Sequence, residues 1–195
     1  MSKIHNRIPF LPRDADYVKV FPYIEQRYAP TFLAALWEKL QCEHVPKTFW
    51  RTGEPLSLNE WIRFFSPSEG RGLFIAVHCP SDNEPFTPND IIGLMWVDQV
   101  QSHKANAHFF FFRQWWGGWT TAAVAKGLDV IFHEPFNLKV ILCYINMDNK
   151  LGIGFWKRIG VTVLGEIPHY YQHGEQYYSA LAGYIDRDMY YGKSI

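Results

Sequence analysis

The chain has 195 residues, 48% of them apolar and 17% aromatic, which is enough to bury a substantial core and far from the composition of a disordered chain. Nineteen Lys and Arg residues balance nineteen Asp and Glu residues, so no overall charge draws the protein to nucleic acid or to an anionic membrane. The three cysteines, Cys42, Cys79 and Cys143, are scattered without a Cys-x-x-Cys pair; they exclude a structural zinc site of the usual spacing and suit a reducing compartment.

The opening segment, MSKIHNRIPFLPRD, breaks any apolar run with charges and prolines, so it does not read as a signal peptide. No stretch reaches the length of a membrane span. The expectation is a soluble, cytoplasmic protein with no membrane partner. Residues 1–16 read as an irregular lead-in and 17–195 as a single domain.

Residues 17–23 (YVKVFPY) are β-branched and aromatic and predict a short strand. Residues 30–40 follow with Pro30 at a first helical turn and an apolar stripe of Phe32, Leu33, Leu36, Trp37 and Leu40. Ser57 and Glu60 form a capping-box pattern that opens a second helix through Phe65, ended by Pro67. Strand-like runs occupy 72–78 (GLFIAVH), 90–101 (DIIGLMWVDQVQ) and 105–113 (ANAHFFFFR), the first two joined by the loop CPSDNEPFTPN. The third run is apolar at consecutive positions, as expected of a strand covered on both faces.

Residues 120–133 then show helical spacing, 138–145 (LKVILCYI) a second buried strand, and 149–159 a helix with Gly160 as its terminator. Residues 161–167 and 176–184 predict a last pair of strands joined through HYYQHGE. The order is strand, two helices, three strands, helix, strand, helix, two strands: an α/β protein with a mixed sheet.

Chemistry enters at the junction Arg113-Gln114-Trp115-Trp116-Gly117-Gly118-Trp119-Thr120-Thr121. A strand runs into paired glycines and then a helix. Glycine lets the backbone approach a ligand, and the first free amides of a helix, at its positive dipole end, hold anions. The arrangement suits a diphosphate, with the Thr120 and Thr121 hydroxyls as extra donors. The plainer alternative is a glycine turn before a helix. The segment is neither a P-loop nor a dinucleotide fingerprint.

At these residues the chain resembles the GNAT acetyltransferase superfamily, over roughly residues 91–184. The family carries a Gln/Arg-x-x-Gly-x-Gly/Ala loop whose amides hold the coenzyme A diphosphate. Gln114 and Gly117 match it, while Trp119 departs from its last position. A second stretch also matches: Asn146 and Asn149 after the strand, Trp156 on the helix, and then Gly160. Trp156 stands where many members carry a Tyr that protonates the leaving thiolate. Indole is too weak an acid for that, so Trp156 is expected to pack against the coenzyme instead. Members of the ribosomal-protein N-terminal acetylase type also lack this Tyr.

The resemblance implies an acyl-CoA N-acyltransferase with acetyl-CoA as co-substrate and no metal. The expected cofactor-binding residues are Phe112, Arg113, Gln114, Gly117, Gly118, Trp119, Thr120, Asn146, Asn149 and Trp156. The partners are a coenzyme A thioester and an amine. A homodimer is compatible with the resemblance, and a phage-encoded origin is one expectation. The fourth and fifth strands are expected to part around the acyl group, with a main-chain N–H of Phe111, Phe112 or Arg113 facing the oxyanion.

Candidate bases are His108, early in the fourth strand, and Asp98 on the third; imidazole takes and gives protons near neutral pH. Each also has a plain structural reading, as a buried His on a carbonyl and as a strand-edge carboxylate. Tyr144, Tyr170 and Tyr171 are candidates to protonate the thiolate. The pair His169 and His173 has helical metal-ligand spacing, but its surroundings suggest a strand end and no third ligand is apparent. Trp115, Trp116 and Trp119 could cover the cofactor, line the acceptor pocket or form a partner surface. GEPLSLNEW and HYYQHGEQ are expected to wall the acceptor site. Neither carries a dense acidic cluster, which tilts the acceptor toward a protein or peptide amine. The competing readings are an inactive protein of this shape that binds acyl-CoA or a partner, such as a phage accessory or virion protein, and an aromatic-rich carbohydrate- or nucleobase-binding module.

Overall fold

The apolar runs assemble into one seven-stranded sheet, in the order β1-β2-β3-β4-β5-β7-β6. The computed structural model describes residues 15–23, 30–43, 57–65, 72–79, 86–133 and 136–192. The strands are β1 (Val18–Pro22), β2 (Gly72–His78), β3 (Ile91–Gln101), β4 (Lys104–Phe111), β5 (Val140–Asn146), β6 (Thr162–His173) and β7 (Gln176–Asp186). The helices are α1 (Pro30–Cys42), α2 (Leu58–Phe65), α3 (Gly118–Phe132), α4 (Lys150–Ile159) and a short α5 (Arg187–Tyr190). Most of the lead-in, Pro67, most of the loop CPSDNEPFTPN and the GEPL segment lie outside the described residues.

Strand alternation sends side chains to two cores. One face packs against α3 and α4 through Ala105, Ala107, Ile141, Cys143, Val124, Leu128 and Trp156. The other packs against α1 and α2 through Leu94, Trp96, Phe112, Leu36, Leu40 and Trp61. Trp61 is fully buried, and its indole N–H donates to Leu33 O at 3.0 Å, tying α2 to α1. The capping box at Ser57 forms as expected: Ser57 N–H and its hydroxyl both donate to the Glu60 carboxylate, at 2.9 and 2.7 Å, and hold that carboxyl below its usual range. Asn149 caps α4 by accepting from Gly152 N–H at 2.9 Å, and Gly160 ends it at φ 82°, where an L side chain would be strained.

Three expectations change. Helix α3 starts at Gly118, two residues early, so the second glycine is its first turn. Strands β6 and β7 continue through HYYQHGE to a two-residue turn at Gly174 and Glu175, because the tyrosines pair across the hairpin. Strand β4 is not covered on both faces: Ala105 and Ala107 are buried, but His108, Phe109, Phe110 and Phe111 are half-buried. The reason is a parting of the sheet. Strands β4 and β5 pair in parallel only at Lys104–Val140, Ala105–Ile141 and Asn106–Leu142. Beyond that point both strands run on without a shared ladder.

Candidate functional site

The parting makes a split whose lips are the second half of β4 and the second half of β5. Phe112 N–H donates to Ile92 O on β3 at 3.0 Å. Alternation of the extended backbone therefore turns the Phe111 N–H and C=O the other way, into the split. The Phe111 C=O accepts from the Trp116 indole N–H at 3.0 Å. The Phe111 N–H has no acceptor among the described residues. Phe112 itself is a core residue: its side chain is fully buried, its N–H is spent on β3 and its C=O accepts from Trp115 N–H. It has no main-chain donor left for a cofactor, which corrects the sequence expectation for that residue.

After β4 a single tight turn, Arg113–Trp115, leads to the glycines. Gly117 has φ 109° and ψ −132°, a conformation reserved for glycine, and open space lies where a Cβ would point. This twist sets the mouth of α3 beside the split. Among the described residues the N–H groups of Gly117, Gly118, Trp119 and Thr120 have no acceptor, and Thr121 N–H is the first to close a helical bond, to Gly117 O. Four free amides at the positive end of a 15-residue helix are an arrangement that favours an anion.

The side chains around the mouth brace it. Thr120 and Thr121 are buried, and their hydroxyls donate to Trp115 O and Gly117 O at 3.0 and 3.2 Å. The expected extra donors are thus turned inward, and Thr120 offers only its main-chain N–H. Gln114 Nε2 donates to Asn89 O at 2.9 Å, fastening the turn to the start of β3. Arg113 is exposed with its guanidinium over the Trp116 ring, 5.4 Å from its centroid. Trp115 and Trp119 pack on His78 and on each other, so of the three tryptophans only Trp116 is exposed, at 51%. Because Trp119 is already a helical position, its side chain is carried away from the amides and the departure from the family loop leaves the mouth open.

On the β5 lip, Asn146 is buried. Its Oδ1 accepts from Asp148 N–H at 2.8 Å, and its Nδ2 has no partner among the described residues. A buried amide without an acceptor costs about 1–3 kcal/mol unless something bound supplies one. Trp156 contradicts its expectation. It is 5% exposed and sits in the core behind β7, where Gly183 leaves room for the ring. Asn149 is occupied in capping α4.

On the β4 lip the two candidate bases prove to be partners. Trp96 lies opposite His108 and Asp98 opposite Asn106, so all four share the face toward α1 and α2, and Asp98 reaches His108 on the diagonal. His108 Nε2 lies 3.2 Å from Asp98 Oδ2. In a neutral imidazole a carboxylate at Nε2 favours the tautomer with its proton on that nitrogen, in which Nδ1 is the acceptor. His108 and Asp98 side chains are 33% and 20% exposed, sheltered but reachable. Trp96 stacks flat on the imidazole, with centroids 4.9 Å apart and planes at 12°. The pairing depends on strand register, and a sequence gives that only through the shared parity of Trp96 and Asp98.

Across the split, Tyr144 lies two residues beyond Leu142, as His108 lies two beyond Asn106, so the two share a face of the sheet. Tyr144 stacks on Tyr170 at 5.0 Å and 15°. His169 belongs to an irregular step in β6 and packs on Tyr177; with His173 it lies on a strand rather than a helix. Among the described residues no group of three or more His, Cys, Asp or Glu could hold a metal ion, and no helix is long and apolar enough to cross a membrane.

No protein-family model matches the chain, and no curated protein matches it. Solved structures do. Spermidine N-acetyltransferase from Vibrio cholerae in complex with CoA and spermine superposes with a TM-score of 0.68 at 14% identity, over 90% of this chain and 98% of that one. A dodecameric structure of the same Vibrio cholerae enzyme in an intermediate state gives 0.66 at 14%, over 92% and 99%. A structure of the spermidine/spermine N-acetyltransferase from Vibrio cholerae with manganese ions gives 0.64 at 14%, over 91% and 96%. The chain therefore has the GNAT fold.

Proposed function

We propose that this protein is an acetyl-CoA-dependent N-acetyltransferase acting on a primary amine. The observation that carries the reading is the split after Asn106 and Leu142, lying beside four unpartnered amides at the mouth of α3. A linear ligand with an anionic middle and a thioester end fits such a mouth and slot. The Asn146 Nδ2 and the Phe111 N–H are further donors in want of an acceptor along the same split.

Acetyl-CoA, when bound, supplies an activated carbonyl carbon and a sulfur leaving group. The amides of Gly117, Gly118, Trp119 and Thr120 hold the diphosphate. The Phe111 N–H faces the carbonyl oxygen as it gathers charge. His108, poised by Asp98, takes the amine's proton on Nδ1. The freed nitrogen lone pair forms the C–N bond as the C–S bond breaks; Tyr144, on the same face as His108, gives its phenol proton to the departing sulfur, and the second proton of the nitrogen leaves the new amide to refill that phenol, so the one proton released overall is the one His108 passes to solvent. In this scheme His108 is a catalytic residue and Asp98 a positioning residue.

The test is release of coenzyme A thiol from acetyl-CoA over a panel of amines, alongside thermal stabilisation by coenzyme A. Turnover that needs His108 supports the reading. Stabilisation without turnover on any amine would favour a binding protein of this shape. The His108–Asp98 pair is the reason not to favour that alternative, since a binder requires no base.

A further inference from the structure

The acceptor side of the split is aromatic on both lips. On β4, His108 lies flat on Trp96, which is backed edge-on by Phe64 and Phe65 of α2. On β5, Tyr144 lies flat on Tyr170, and Tyr171 meets Tyr170 edge-on at 4.9 Å and 78°. Tyr170 reaches Tyr144 only because β6 is distorted. Ile167 pairs with Ala180 and Tyr171 with Tyr178, so β6 takes four steps where β7 takes two. Within this bulge His169 adopts φ 57°, a left-handed conformation that a non-glycine residue avoids. Such strain is unfavourable, yet Tyr170 and Tyr171 end half-buried rather than in the core. A bulge that folds half-open rings back over a sheet re-aims them toward something that binds there.

The charge is as specific as the rings. Asp98 is the one carboxylate on β3, β4 and β5, the strands that frame the split and its base. The one cation on these strands, Lys104, sits at the paired end of β4 beside Val140, so along the split Asp98 is the single charged side chain they offer, and it matches a single ammonium.

We propose that the acceptor is a primary monoamine carried on a short chain from a flat aromatic ring, the ammonium meeting Asp98 and His108 and the ring lying against Tyr144, Tyr170 and Tyr171. The inference rests on the acetyltransferase reading and names its substrate class. Ring stacking on the tyrosines and an ammonium beside an aromatic face are both favourable, and a flat-ringed monoamine makes both contacts at once. A polyamine gains little from the rings and leaves its further charges unmatched on these strands.

The test compares kcat/KM for 2-phenylethylamine, spermidine and a short peptide with a free N-terminus, using the full chain and acetyl-CoA. The expected result is 2-phenylethylamine ahead of both by about 10-fold or more, a factor equal to 1.4 kcal/mol. Tyr170→Ala and Tyr170→Leu should both erase most of that preference through KM while coenzyme A affinity, read by calorimetry, stays in place. Tyr170→Leu keeps apolar volume and guards against simple misfolding. Preference for spermidine or the peptide, or a preference untouched in a folded Tyr170→Leu protein, overturns the inference alone. Coenzyme A that fails to bind overturns the acetyltransferase reading beneath it.

Discussion

The two ends of the split are built from different materials. The α3 mouth is backbone: its donors are the N–H groups of Gly117, Gly118, Trp119 and Thr120, and its side chains face away as braces. The β3–β4 lip is side chain: Asp98, His108 and Trp96 meet across two strands. The contrast teaches where each end is vulnerable. A backbone site tolerates changes of side chain and is lost when a dihedral is denied. A side-chain site tolerates modest backbone change and is lost when one atom is exchanged.

The largest expected effect falls on the side-chain end. His108→Ala should lower kcat by about 10²-fold or more with little change in coenzyme A affinity, measured by steady-state kinetics and calorimetry. A kcat within a few-fold of the parent would remove His108 from the role of base. Asp98→Asn keeps shape but withdraws the carboxylate that favours the imidazole proton on Nε2. It should cost about 10-fold in kcat and alter the pH profile of kcat/KM, whereas a purely structural role would leave the profile's shape alone.

At the backbone end, Gly117→Ala forces an L side chain into φ 109°, at a cost of about 1–3 kcal/mol. Coenzyme A affinity should fall by about 10-fold or more while His108 chemistry at saturating cofactor changes less. The converse split between KM and kcat would break the comparison.

The smallest effect concerns the turn that anchors the mouth to β3. Thr87 N–H and its hydroxyl both donate to the Asp90 carboxylate at 2.7 Å, and these bonds, the main-chain one foremost, hold its pKa below the ordinary value. A lowered carboxylate gives stability that is full above its unfolded pKa, near 3.9, and lost as pH falls through the folded value. Asp90→Asn should therefore lower Tm at pH 7 by about 1–3 °C and narrow the gap between Tm at pH 7 and at pH 3. An unchanged gap would show that the cap carries no pH dependence. The thiols offer a control on burial: Cys143 is buried and its thiol is pushed up to about 12, so Cys42, which is exposed, should react with a thiol reagent in the native protein while Cys143 reacts only after unfolding.

Much of the frame was legible. Local signals gave every strand and α1 to α4, because apolar periodicity, the Ser57 capping box and Gly160 act within a few residues of themselves. The paired glycines marked the strand-to-helix junction for the same reason. What the sequence hid is register and direction. That Asp98 serves His108 follows from which residues of β3 and β4 face each other, and that Phe112 is spent follows from which strand its N–H meets. Trp156 is buried because Gly183, far along the chain, leaves space for its ring. The Tyr144–Tyr170 stack follows from a bulge that no composition announces.

The central claim is that free main-chain amides at the mouth of α3 hold a diphosphate beside a split sheet. It is tested most directly by following backbone amide resonances while coenzyme A is added to the ¹⁵N-labelled protein. The account predicts that the Gly117, Gly118, Trp119 and Thr120 signals move most, with Phe111 behind them. Saturable binding that leaves those signals still and perturbs another surface would contradict it.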